Sequence, residues 1–478
     1  MSDPDPEKDP KRSPGPHGPH GPEDNTTTTI TMRSKTSAQK GFSLPLWRKS
    51  IILFVVSWMT LAVTFSSTSL LPATPEIAVE FSTTAETLNV TNAGVLPAMG
   101  FSSLLWGPLT NLLGRRRAYI MAVAVLVGCS VGTACSGSMA VFTVLRILGG
   151  FTGTSFMVSG QTVIADIFEP VVRGTAVGFF MLGTVTGPAI GPCIGGVIVT
   201  FADWRNIYWL QTAMAGLGLV LAIIFVPEIE PEVEEESEKA TTLSGIIRVF
   251  NPTRVFRLWC YPNILLSFLT CGLLSTTLYA LLSSARQIFN PRFHLSSALV
   301  SGLFYLSPGA GFLVGSILGG RLSDATVRKY IQRRNGLRLP QDRLNSGLVM
   351  LFGVLPAATL VYAWTLQTER GGMAVPIVSG FFAGVGLMGG FNGLNTYTAE
   401  VLPSRRSEVI AGKYIIQYIF SAGASALVVP VINAIGVGWT FTICAILTLV
   451  GGVFVVIIAR WGVDMQQCVE RRVPLNYN

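Results

Sequence analysis

The sequence predicts an all-α membrane protein with twelve transmembrane helices in two pseudo-symmetric halves of six. Three observations predict it. Of 478 residues, 50% are hydrophobic and 13% charged, where a soluble domain carries about 25% charged residues. That leaves too little polar surface to cover the two or three soluble domains a chain of this length would form. Apolar stretches near the bilayer-crossing length of about 20 residues recur along the chain, and Lys and Arg gather in alternate loops between them.

The elements follow in order. Residues 1–45 form an N-terminal tail. From Met1 to about Ser43 it is rich in Pro, Gly, Ser, Thr and charge with no apolar run, a composition that predicts disorder. No hydrophobic segment sits where a cleavable signal peptide would carry one. The first half, residues 46–226, contains the apolar stretches Ser50–Leu71, Leu88–Leu112, Tyr119–Ala134, Ala140–Phe168, Gly174–Phe201 and Ile207–Val226. Backbone amides in such stretches have no water to bond, so in lipid they close on themselves as helix. Residues 227–258 form a central loop. Its first part is acidic (Glu228, Glu230, Glu232, Glu234, Glu235, Glu236, Glu238). Its second part, Leu243–Trp259, mixes apolar and basic residues. That part reads either as amphipathic segments on the membrane surface, broken at Asn251-Pro252, or as a plain linker. The second half, residues 259–461, contains Tyr261–Ser284, Ala298–Gly320, Asn345–Thr365, Met373–Tyr397, Val409–Ile432 and Val437–Ala459, followed by a tail, 462–478.

Orientation follows from the loops. The even-numbered loops hold Arg115, Arg116 and Arg117, then Arg173, then a run from Arg321 to Arg343, then Arg405 and Arg406. Pro72–Thr87 and Cys135–Met139 hold neither Lys nor Arg; Arg205, Arg286, Arg292 and Arg370 are the exceptions. The positive-inside rule then puts both termini and the central loop in the cytosol. The plasma membrane is the expected home, with a vacuolar or vesicular membrane as the alternative.

Several classes are excluded. The basic residues sit in short loops, not on one solvated face, so nucleic acid is not a partner. Seven cysteines lie scattered without metal-ligand spacing and read as small packing residues. There is no Ser/His/Asp cluster, no His-Glu-x-x-His and no Gly-x-x-x-x-Gly-Lys-Ser/Thr loop. Neither an enzyme nor an ATP-driven pump is expected, and no cofactor or metal.

Three sequence features carry the functional reading. Gly107-Pro108-Leu109-Thr110-Asn111 after the second stretch and Gly320-Arg321-Leu322-Ser323-Asp324 after the eighth fit one pattern, each with basic residues beyond it. Paired six-span halves are a signature of transporters built from repeats. Arg146 lies inside the fourth stretch, where a guanidinium needs a partner or a wet cavity unless it snorkels to the interface. Glycines recur every fourth residue at Gly183, Gly187, Gly191 and Gly195, and again at Gly311, Gly315 and Gly319. Such stripes let helix backbones approach closely.

Taken together these motifs resemble the major facilitator superfamily, and within it the twelve-span drug:proton antiporters of the fungal branch, over roughly Leu46 to Trp461. The resemblance implies a cytosolic gate at Gly107, Asn111, Gly114, Arg115 and Arg116 in the first copy and at Gly320 and Asp324 in the second. Asn111 stands where the family has an acid and cannot titrate, so the latch leans on Asp324. Arg146 matches the family's proton-coupling arginine. Gly183 to Pro192, including Pro188, matches the antiporter motif, with Pro192 in place of a final glycine. The fifth and eighth spans meet in the family fold, so the two glycine stripes are expected to face each other. Spans one, four, seven and ten surround the family's cavity, which implicates Trp58, Thr64, Gln161, Tyr279 and Asn392, with Lys413 and Gln417 on the eleventh span.

No Asp or Glu lies in the middle of any apolar stretch. Asp166, at the end of the fourth, is the candidate proton carrier beside Arg146. The expected function is export of drug-like or secondary-metabolite molecules against protons, by alternating access and as a monomer in the bilayer. Arg146 and Lys413 as buried cations support a carboxylate exporter instead. A non-transporting receptor or scaffold would need a larger cytosolic region than the chain provides.

Overall fold

The computed structural model describes residues 44–225, 252–293 and 302–472, and among them there is no strand. The expectations for residues 1–43, for the acidic part of the central loop and for the last six residues lie outside the described residues.

Long helices follow one another along the chain. They are α1 (Leu46–Thr68), α2 (Ala85–Leu113), α3 (Arg115–Ala134), α4 (Met139–Ile167), α5 (Arg173–Phe201) and α6 (Arg205–Phe225). After the central loop come α7 (Pro262–Phe293), α8 (Leu306–Arg333), α9 (Pro340–Gln367), α10 (Ala374–Glu400) and α11 (Arg406–Arg472). Nine segments among the described residues are long and apolar enough to cross a membrane. The end of the central loop forms two short turns, Thr253–Phe256 and Arg257–Cys260, which bury Val255 and Leu258 and leave Phe256 outward.

The interruptions have identifiable causes. Gly114 joins α2 to α3 at φ 84°, a conformation that L side chains rarely adopt. Gly436, also at φ 84°, divides α11 into two arms. α4 breaks at Phe151-Thr152, and there Trp106 Nε1 donates to Phe151 O at 2.7 Å. The Thr154 amide donates to Ser102 Oγ at 3.2 Å. Broken helix at membrane depth is tolerated where protein groups take up the freed amides and carbonyls.

The largest buried apolar cluster is built from residues 258–458 with only Val185 and Ala189 from earlier in the chain. The remaining clusters draw on residues 52–222, one of them closed by Ala399, Ile410, Ala411, Tyr414 and Tyr418. The outer surface is apolar, with Phe54, Ile224, Leu427 and Trp439 largely exposed, as suits a chain solvated by lipid.

The glycine stripes do not face each other. A methyl group on Gly183 would lie 2.0 Å from Ser57 O, one on Gly187 2.2 Å from Thr64 Oγ1, and one on Gly195 2.0 Å from Ser69 O. The α5 stripe therefore packs on α1. Methyls on Gly311, Gly315 and Gly319 would strike Phe381 O, Val385 O and Gly389 Cα, so the α8 stripe packs on α10. α5 and α8 do meet, but through other faces: Gly178 against Ser316 O, Gly320 against Gly174 O, and Gly309 against Ala189. A stripe of small residues signals close approach without naming the partner. Here each stripe serves a neighbour within its own part of the chain.

Candidate functional site

The most concentrated chemistry lies at the end of the bundle where the basic loops gather. Four guanidiniums (Arg173, Arg338, Arg343, Arg406) and three carboxylates (Asp166, Asp324, Glu400) join there. Arg173 meets Glu400 at 3.0 Å, with both side chains buried, and donates to Ala165 O at 2.7 Å. Arg343 is fully buried and reaches Asp324 at 3.0 Å and Glu400 at 3.1 Å. Its Nη2 donates to Pro170 O. Arg338 also pairs with Glu400. Arg406 meets Asp166 at 2.6 Å and donates to Ala399 O at 2.8 Å. Buried charges persist only when paired and hydrogen-bonded, and here Glu400 is ringed by three arginines.

Asp324 has a second task. Its Oδ1 accepts from the Gly174 amide at 2.9 Å, and its Oδ2 from the Thr175 amide and hydroxyl, both at 2.7 Å. A carboxylate on the first amides of α5 satisfies donors that the helix cannot and meets the positive end of its dipole. The second-copy motif thus ties α8 to α5. Gly320, one turn before Asp324, permits the approach: a methyl there would lie 2.7 Å from Gly174 O.

The first-copy residues do less. Gly107 lies inside α2, with open space where a methyl would point. Gly107 therefore makes no turn at the end of α2, and Gly114 alone of that pair sits in one. Arg116 Nη2 donates to Ile223 O at 2.7 Å, a contact between α3 and α6. The side chains of Asn111 and Arg115 lie outside the described residues.

A central cavity of ≈ 50 Å³ lies between the two parts of the chain, lined by Thr64, Met157, Met181, Thr184 and Pro188 from one and by Tyr279, Met388, Phe391, Asn395, Tyr414, Gln417 and Tyr418 from the other. Of the residues expected there, Thr64, Tyr279 and Gln417 line it. Trp58 instead donates to Met214 O at 2.9 Å, fastening α1 to α6. Asn392 donates to Ser316 O at 2.6 Å, fastening α10 to α8. Beside the cavity, Gln161 donates to the Tyr414 hydroxyl at 2.7 Å. Lys413 is fully buried; its Nζ donates to Asn395 Oδ1 at 2.6 Å and to Gln161 Oε1 at 3.5 Å, and lies 3.7 Å from the centre of the Tyr414 ring.

Arg146 is buried elsewhere. It donates to Asn92 Oδ1, lies over the Phe142 ring at 5.6 Å, and lines a separate small pocket with Tyr208 and Gln211. Arg146 and Lys413 therefore do not share a cavity. Asp166 is held by Arg406 at the basic-loop end, away from Arg146.

In the sequence, Arg173, Arg338, Arg343 and Arg406 read only as orientation signals. Glu400 was the available clue, a carboxylate at the end of an otherwise uncharged stretch, where an ionisable group demands a partner. Met157, Met181, Met388, Tyr414 and Tyr418 had no distinguishing signal, because lining and packing residues are alike in type.

Comparison with known proteins agrees with this architecture. Residues 56–414 match the family model described as Major Facilitator Superfamily. The MFS antiporter QDR3 of Candida albicans is 22% identical over an alignment of 544 positions, covering 87% of this chain and 78% of that protein. The efflux pump FUBT of Fusarium oxysporum is 24% identical, covering 90% of this chain and 76% of its own. The solved structure of the proton:xylose symporter XylE, bound to 6-bromo-6-deoxy-D-glucose, superposes with a TM-score of 0.67 at 16% identity, over 86% of this chain and 95% of that one.

Proposed function

The chain belongs to the major facilitator superfamily of membrane transporters, and from that premise we propose that it exports small organic molecules, drug-like compounds or secondary metabolites, in exchange for protons. In this reading twelve spans form two halves of six, with α11 supplying the last two through its division at Gly436. Both termini and the basic-loop end face the cytosol, and the protein works as a monomer, in the plasma membrane.

The observation that carries the reading is the position of the central cavity behind the charged cluster. The cluster joins the two parts of the chain through Arg173–Glu400, Arg406–Asp166 and the Asp324 cap on α5. That arrangement supports a gate closed toward the cytosol. At ≈ 50 Å³ the cavity is far below the roughly 300–1,000 Å³ of a drug site, so cargo enters only when the halves part. Opening separates charges that are stable only when paired. Protonation of Asp166, freeing Arg406, is the proposed link between the proton and the gate, and Arg146 sets the electrostatics of the first half. The mainly apolar lining, with a few hydroxyl and amide groups, suits lipophilic cargo. The efflux and antiporter names of the fungal relatives support the direction of transport.

A second reading has its own support. Lys413 is fully buried and bonds to amide oxygens only, one residue away from Tyr414 on the cavity wall. Such a cation would attract an organic carboxylate. The test is proton movement in proteoliposomes, driven by cationic, neutral and anionic compounds, for the wild type, Asp166→Asn and Lys413→Gln. Antiport of drug-like cargo requires proton movement with cationic or neutral compounds that Asp166→Asn abolishes. Response to carboxylates alone, lost in Lys413→Gln, would replace it with the second reading.

A further inference from the structure

Arg146 presents an unbalanced charge. Its guanidinium stays protonated in any protein setting, and the residue is only 6% exposed. Its partners are the neutral Asn92 amide and the face of Phe142, and among the described residues no carboxylate pairs with it. A buried ion without a counter-charge is costly. A buried lysine can escape that cost by losing its proton, and Arg146 cannot.

The surroundings provide room and donors. A cavity of ≈ 20 Å³ adjoins the guanidinium, bounded by Ser66 and Ser67 of α1, Arg146 of α4, and Tyr208 and Gln211 of α6. A single water needs about 10–15 Å³, so the cavity holds one small particle and no organic substrate. Tyr208 and Gln211 are 3% and 2% exposed. The Tyr208 hydroxyl, Gln211 Oε1 and the amide nitrogen Nδ2 of Asn92 all lack a hydrogen-bond partner. Tyrosine and the asparagine amide offer donors, and the Gln211 amide offers another when its nitrogen and oxygen exchange places. Unsatisfied donors thus gather round a fixed positive charge. A water molecule would serve the donors and leave the charge unbalanced, whereas an anion answers both.

We infer that this pocket is a binding site for a small inorganic monovalent anion of chloride size, held by Arg146 and Tyr208, with Asn92 bonded to Arg146 beside it. The bound anion neutralises the first half's interior cation and pins α1, α2, α4 and α6 about one point, one turn from the interruption in α4. The site is separate from the central cavity, whose lining includes none of these residues, and it stands whether or not the transport reading holds.

The test uses the full-length purified protein in lipid nanodiscs. Its thermal midpoint is followed as sodium gluconate is exchanged for sodium chloride or bromide at constant ionic strength, in the wild type and in Tyr208→Phe. The expected result is a saturable rise with chloride and bromide, and an apparent affinity about tenfold weaker in Tyr208→Phe, which loses one hydrogen bond to a charged ligand. Crystals grown in bromide should show an anomalous peak between Arg146 and Tyr208. Equal midpoints in all three salts, or a halide response unchanged in Tyr208→Phe, would overturn the assignment. So would a bromide-grown crystal with no anomalous peak in the pocket. If Tyr208→Phe does not fold, the wild-type titration and the anomalous map decide the matter alone.

Discussion

Arg343 places Nε on Glu400, Nη1 on Asp324 and Ser323, and Nη2 on the Pro170 carbonyl. Only a planar fork with several donors spans those groups at once. Lysine, with one nitrogen, must abandon either Asp324 or Glu400 inside the protein. Breaking a buried pair costs about 3–5 kcal/mol, so Arg343→Lys should lower the thermal midpoint markedly in nanodiscs despite its retained charge. Asp324→Asn keeps the size but turns one acceptor oxygen into a donor facing the α5 amides or Arg343. That variant should spend more time open at the basic-loop end. A cysteine at Gln161, reached by a membrane-impermeant maleimide from the basic-loop side, should label faster in the Asp324→Asn background than with Asp324 intact. Unchanged labelling would show that the Asp324 cap does not hold the gate.

At the scale of the helix, glycines of identical appearance have opposite tolerance. Gly183 and Gly187 lie where an added methyl would come within 2.0 Å and 2.2 Å of α1 atoms, so α1 must move to admit it. Overpacking of this kind costs about 1–3 kcal/mol. Gly107, by contrast, is a helical residue with nothing within 4 Å of the added atom. Alanine there removes backbone freedom from the unfolded chain and gains about 0.5–1 kcal/mol. Gly187→Ala should therefore lower the thermal midpoint and transport rate together, while Gly107→Ala should leave transport intact and raise the midpoint slightly. Loss of transport in Gly107→Ala would restore the gating role that its motif suggests.

For the molecule as a whole, the contact between α5 and α8 makes a geometric claim about which surfaces meet. A methyl on Gly309 would lie 2.4 Å from Ala189 Cβ, whereas Gly187 and Gly315 face α1 and α10. With the seven native cysteines replaced, paired cysteines at positions 189 and 309 should crosslink readily on mild oxidation, and the crosslink should arrest transport by holding that seam shut. A pair at 187 and 315 should stay reduced. Crosslinking of the second pair in preference to the first would show that α5 is rotated from the packing described.

The sequence alone determined what depends on local order along the chain. Lipid-compatible helices follow from apolar stretches because an unpaired amide has no other outlet in hydrocarbon. The close approach of helices follows from glycine spacing, and the repeated Gly-x-Leu motif gave the family. Tertiary structure decided everything that depends on which distant residues become neighbours. Asp166, Arg173, Asp324, Arg343, Glu400 and Arg406 are spread over more than half the chain, and only folding gathers them into one charged cluster. The same is true of the α5 stripe's choice of α1, and of the separation of Arg146 from Lys413. Residue type sets what a side chain needs, a partner for a charge or room for a backbone. Only packing in three dimensions settles who supplies it.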